Sequence, residues 1–190
     1  LRKRNEEMKR RDFIKETTLA ALALNLPFSL FAQQNISPDL AWIEGDSPSS
    51  MTKEAVASLG GMRRFISRGD VVVVKPNIGW DRTPELAACT NPDVIKTLVG
   101  LCLDEGAKEV KVIDNPCNPA QRTYVRSGIE RAAKEAGAKV IYPTPHRLKK
   151  MALKGEWLRE WEVYTDFVEA DKIINVPIAK THSLSRVTLG

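Results

Sequence analysis

The chain has 190 residues and a formal net charge of +5, from 29 Lys and Arg against 24 Asp and Glu. Residues 1–32 hold seven of the basic and four of the acidic residues, so the rest is close to neutral and a nucleic-acid partner loses its main support. Three cysteines are too few for a disulfide scaffold, although an oxidising compartment would let two of them pair.

The first element is KRRDFIK at 9–15, followed by an apolar run at 17–32 that Asn25 and Pro27 interrupt. A basic stretch ahead of a short, mild apolar run is the anatomy of an export signal, because a spanning helix needs roughly 20 apolar residues. Arg10-Arg11, one spacer, then Phe13-Ile14-Lys15 is similar to a twin-arginine signal. That resemblance implies the twin-arginine export machinery as a partner, a periplasmic destination, and transport of an already folded, often cofactor-loaded protein. Met8 reads as the natural start, since residues 1–7 fit no part of a signal. Ala32 could end the removed peptide, but Leu30 stands where a small residue is wanted, so retention as a membrane anchor stays open. Residues 33–50, polar with Pro and Ser, read as a linker, and 51–190 as one α/β domain.

Within that domain strands and helices alternate. VVVVKP at 71–76 is a continuous β-branched run, the mark of a parallel strand covered on both faces. Residues 91–107 read as a helix with Asn91 as N-cap, Pro92 at its first position and Gly106 as its stop. Further strands are predicted at 109–114, 139–142 and 172–177, with a second helix over 121–136 ended by Gly137. DEGAKEVKVI and EAGAKVIY repeat one helix–glycine–strand joint. The predicted fold is therefore a three-layer α/β/α domain with a mainly parallel, doubly wound, Rossmann-like sheet. A less regular stretch with Trp157, Trp161 and Tyr164 precedes the last strand and reads as a flap over the sheet.

In such sheets ligands bind outside the carboxyl ends of the strands. The residues there are Lys75 and Asn77, then Asp114, Asn115 and Cys117, then Thr144 and His146, then Lys180, Thr181, His182 and Ser183, with Cys89 at the end of the first loop. Lys75 and Lys180 are candidates to hold an anion, although a strand-end lysine such as Lys75 could simply extend into water. Asn77 adds a directed donor or caps its own turn, and Asn115 and Ser183 join the candidate cofactor-binding set. Asp114 either starts a turn or accepts a ligand hydroxyl or metal. Cys89 and Cys117 would form a disulfide, ligate a metal with His182, or remain unpaired thiols. Cys102, among Leu98, Val99, Leu101 and Leu103, reads as core. Lys180 and His182 share one face of an extended chain, which makes them the candidate anion holder and proton carrier. The basic run at 147–150 reads as a solvated face.

VVVVKPNIGW, TNPDVIKTLVGLCLDEGAKEVKVID, the Cys117-Asn118-Pro119 and SGI segment, and EADKIINVPIAKTHSLSRVTLG together resemble the domain of unknown function 362 (DUF 362) family, in its exported twin-arginine branch. The likeness covers about residues 65–190, and KPN and KTHS are its most specific phrases. Family sequences continue past TLG at 188–190, so the resemblance implies a chain truncated at its C-terminus. Some members carry four-iron four-sulfur centres, but the CxxCxxC run these use is not present here, and no cofactor is named by the residues. Nucleotide fingerprints, P-loops and GxSxG elbows are likewise not found. Two functions follow as expectations. One is an exported protein holding a metal or redox cofactor and a small anionic ligand at the strand ends, its enzymatic status undecided. The other is a non-catalytic periplasmic binding or redox-partner module stapled by Cys89–Cys117. Oligomeric state is not set by the sequence.

Overall fold

The computed structural model describes residues 38–189; the predicted signal at 1–32 and Gly190 lie outside them. Helix α1 (Pro48–Ser58) starts with Ser47, whose side chain accepts the Ser50 N–H, and with proline at its first turn. Strand β1 (Val71–Pro76) follows, then α2 (Pro92–Asp104), β2 (Glu109–Val112), α3 (Ala120–Arg126), α4 (Ile129–Glu135) and β3 (Lys139–Val140). The chain continues through β4 (Leu148–Ala152), β5 (Glu160–Tyr164), the single-turn α5 (Thr165–Val168), β6 (Lys172–Val176), β7 (Lys180–His182) and β8 (Arg186–Thr188).

The predicted caps hold. Asn91 accepts the Asp93 N–H at 2.8 Å, and Gly106 turns the chain at φ 89°. The helix predicted over 121–136 is two helices instead. Gly128 takes φ 73° between α3 and α4, a left-handed conformation that ends one helix and redirects the next.

The sheet is parallel throughout, in the order β3-β2-β1-β6. The chain steps outward from β1 to β2 to β3 and then returns to the far side of β1, so the winding reverses between β1 and β6. This is the predicted α/β architecture. Val72, Val73 and Val74 are completely buried, as a central strand covered on both faces requires. Val72 and Val74 join Val110, Val112, Ile95, Val99 and Ile129 in the core beneath the helices.

The opposite face is built differently. Lys111, the register partner of Val73, reaches Asp166 Oδ1 at 3.2 Å. Asp166, at the start of α5 and 1% exposed, also accepts Arg147 Nε (2.9 Å) and Nη2 (2.6 Å) in a bidentate pair. Arg147 immediately precedes β4 and Asp166 follows β5, so this clamp ties both ends of the β4–β5 hairpin to the sheet. The third layer is thus a one-turn helix and an antiparallel hairpin, the stretch read in the sequence as an irregular flap.

Burial alone would raise the Asp166 carboxyl, but the hydrogen bonds and charges of Arg147 and Lys111 outweigh it and hold the carboxyl below its ordinary range. Its contribution to stability is therefore complete above the unfolded carboxyl value near ~3.9 and lost as pH falls through the depressed folded value. Asp166→Asn should cost about 3 kcal/mol at neutral pH by stranding the two cations. Denaturant unfolding across pH checks this: the acid limb of the variant should be shallower than that of the wild type.

Candidate functional site

Because the strands are parallel, their carboxyl ends share one edge. At the end of β1 the chain is fastened by Thr90, a residue the sequence reading passed over. Its hydroxyl accepts the Asn77 N–H (2.8 Å) and donates to the Val176 carbonyl at the end of β6 (2.6 Å). Thr90 N–H returns a bond to the Asn77 carbonyl. One buried hydroxyl thus laces together the two strands at the reversal of winding. No pattern in the sequence separates it from an ordinary residue preceding an N-cap.

Asp114 is the second fixed point. Its Oδ2 accepts the Ile78 N–H at 2.6 Å, and its Oδ1 lies 3.1 Å from Lys75 Nζ. The fully buried Tyr124 hydroxyl donates to the Asp114 carbonyl and accepts its N–H, both at 2.7 Å. Burial, the largest influence, raises the Tyr124 phenol well above its ordinary value, so it stays a neutral anchor. The Asp114 side chain is 8% exposed and that of Lys75 41%, so the carboxylate supports from behind while the ammonium is presented outward.

Lys75, Asp114 and Asn115 form the floor of a cavity of about 560 Å³. The β4–β5 hairpin and α5 flank it, leaving it open to solvent on one side, with Leu148, Tyr164 and Phe167 supplying apolar surface. Tyr164 donates its hydroxyl to Asn115 Oδ1 at 3.2 Å, which leaves the Asn115 amide N–H groups to donate. Near the opening, Lys150 pairs with Glu160 at 2.5 Å. A cavity of this size with apolar walls and a few convergent polar groups is typical of small-molecule sites.

The remaining predicted residues are placed elsewhere. Lys180 Nζ donates to Asn77 Oδ1 at 2.8 Å and to the Ala88 carbonyl, so this amine ties β7 to the loop after β1. His182 Nδ1 accepts the Leu184 and Ser185 N–H groups, both at 3.2 Å, which places its proton on Nε2 and makes it a turn cap. Ser183 is an exposed residue of that turn, and His146 contacts Thr144 on the surface.

The predicted metal set of Cys89, Cys117 and His182 is not assembled. Among the described residues no group of three His, Cys, Asp or Glu side chains is placed to hold a metal ion. The predicted Cys89–Cys117 staple is not formed either, and all three cysteines are free. Cys89 is buried with its thiol donating to the Trp80 carbonyl at 3.2 Å, whereas Cys117 is exposed. Burial pushes the Cys89 thiol up, and pushes the core thiol Cys102 up to about 11. Sequence reading also missed Asp81, a buried carboxylate whose Oδ2 is paired with Arg122 at 2.5 Å, outside the cavity.

A parallel α/β sheet with a strand-end cavity defines the class. The chain belongs to the family described as "Domain of unknown function (DUF362)", whose model matches residues 72–190. It is also similar to the "Thylakoid-associated protein sll1697" of Synechocystis sp. (strain ATCC 27184 / PCC 6803 / Kazusa), 22% identical over 147 residues. That match covers 77% of this chain and 45% of the relative, so the chain spans about half of the curated protein it matches. No solved structure matches the chain.

Thiol placement gives a direct check on this geometry. With a disulfide-exchange reagent near pH 8, Cys117 alone should react rapidly in the folded protein, and all three thiols after denaturation. Rapid reaction of Cys89 in the native state would contradict its burial.

Proposed function

We propose that this domain binds a small molecule carrying an anionic group, in the cavity between the strand ends and the β4–β5 hairpin. The observation that carries the reading is the Lys75 ammonium, braced by buried Asp114 and presented at the floor of an apolar-walled cavity. Lys75 would meet the anion, the Asn115 amide would donate beside it, and Tyr164 and Phe167 would cover an apolar body.

Lys180 and Asn77 serve the frame of the site, because Lys180 Nζ bonds Asn77 Oδ1 and the Ala88 carbonyl, while His182 Nδ1 caps its own turn. A resident metal or iron–sulfur centre draws no support from the donor set among the described residues. The proposal is one of ligand binding and assigns no reaction.

The test is tryptophan fluorescence titration of the full chain with 3-phenylpropionate, an acid with an apolar body. Lys75→Met should weaken binding at least tenfold, the loss of about 1.4 kcal/mol expected when a charge-assisted hydrogen bond goes. Lys75→Arg, which keeps the charge, should retain most of it. Equal affinity in the wild type and Lys75→Met would sink the reading.

We propose further that the domain is exported in its folded state, on the strength of Arg10, Arg11 and the Phe13-Ile14-Lys15 that follows. Replacing both arginines by lysine should hold the protein in the cytoplasm of a host with the twin-arginine route, as read by cell fractionation. Undiminished export would overturn this part.

A further inference from the structure

The charges around the cavity do not describe a site for a simple anion. Two cations, Lys75 and Lys150, face three carboxylates, Asp114, Glu160 and Glu162. Lys75 is paired with Asp114 and Lys150 with Glu160. Glu162 has no ion-pair partner among the described residues. It stands opposite Lys150 in the β4–β5 register and two residues before Tyr164, so all three lie on one face of the hairpin.

That alternation also sets the distance between the poles. Tyr164 touches Asn115 at the floor, and Glu162 is two residues back along β5, about 7 Å further up the hairpin. The cavity therefore has a cationic pole at Lys75 and Asn115 and an anionic pole at Glu162, with Tyr164 between them. A ligand bearing only a negative charge would satisfy the first and be repelled weakly by the second, because Glu162 is exposed and water screens its charge.

Resting on the anion-binding reading above, we propose that the ligand is a zwitterion of the amino-acid type, its carboxylate at Lys75 and Asn115 and its ammonium at Glu162. A free amino acid and a short peptide share this chemistry. The two long side chains, Lys75 and Glu162, allow either spacing of the charges.

The experiment uses four probes on the full chain by calorimetric titration. Phenylalanine carries both charges, 3-phenylpropionate lacks the ammonium, 2-phenylethylamine lacks the carboxylate, and glycylphenylalanine separates the charges by one residue. At least one zwitterion should bind about tenfold or more tighter than both singly charged probes, and the better of the two identifies the source. Glu162→Gln should abolish the advantage over 3-phenylpropionate by weakening the zwitterion, while the affinity for that acid rises by no more than about twofold as the repulsion is lost. Glu162→Lys should make the acid the better ligand. Glu162 is exposed, and circular dichroism of both variants verifies that the fold is kept.

Equal binding of 3-phenylpropionate and the zwitterions, or no effect of Glu162→Gln, overturns the zwitterion assignment and leaves the anion reading standing. Tight binding of 2-phenylethylamine alone, or binding of none of the four, overturns both.

Discussion

The arrangement of this domain depends on one buried carboxylate. Asp114 stands where β2 has ended, and an ionised group there needs several polar partners to offset its lost hydration. It finds them in the Ile78 N–H and the Lys75 ammonium, while Tyr124 grips the N–H and carbonyl of the same residue from the core. Three pieces of chain are fixed by this set: the end of β1, the end of β2 and helix α3. The direction of Lys75 follows from it, since the amine is held on one side by Asp114 and meets the cavity on the other. A change at Asp114 would therefore alter fold and site together, whereas a change at Lys75 touches chiefly the site.

The sheet was legible in the sequence because its signals are local and strong. A run of four valines, an Asn-Pro helix start and a repeated helix–glycine–strand joint each have a single good structural solution, and together they place the parallel strands. Gly128 was the miss within the helical layer. It sits in a run that otherwise has helical periodicity, and a glycine there is tolerated in sequence terms until its left-handed φ shows that the chain turns. The β4–β5 hairpin was unreadable for another reason. Lys149 and Lys150 put charge on both faces of β4, and the alternation of β5 runs only from Glu160 to Val163, too short a signal to mark a strand. That hairpin is a wall of the cavity, and the volume of the site was hidden with it.

The candidate residues divide along the same physical line. Lys75, Asp114 and Asn115 were found because parallel strands deliver their ends to one edge, and the cavity is there. Asn77, Lys180 and His182 obey the same rule of position, yet Lys180 Nζ is turned to Asn77 Oδ1 and a loop carbonyl, and His182 Nδ1 to turn N–H groups. Position along a chain can put a lysine at the sheet edge, but whether its ammonium meets a ligand or a carbonyl depends on loop geometry. Thr90 and Asp81 show the converse, since both are buried polar groups that organise the edge without any motif around them. The family is described only as one of unknown function, so the chemistry has to be argued from the cavity and its charges.

The most direct measurement is of the two candidate amines side by side. Reductive methylation with isotope-labelled formaldehyde, followed by nuclear magnetic resonance, reports each lysine separately, with Lys75→Arg and Lys180→Arg assigning the signals. On titration with 3-phenylpropionate, the Lys75 resonance should move in step with binding while that of Lys180 stays in place. Movement of the Lys180 resonance with Lys75 unchanged would contradict the central claim and shift the site to the crevice between β1 and β6.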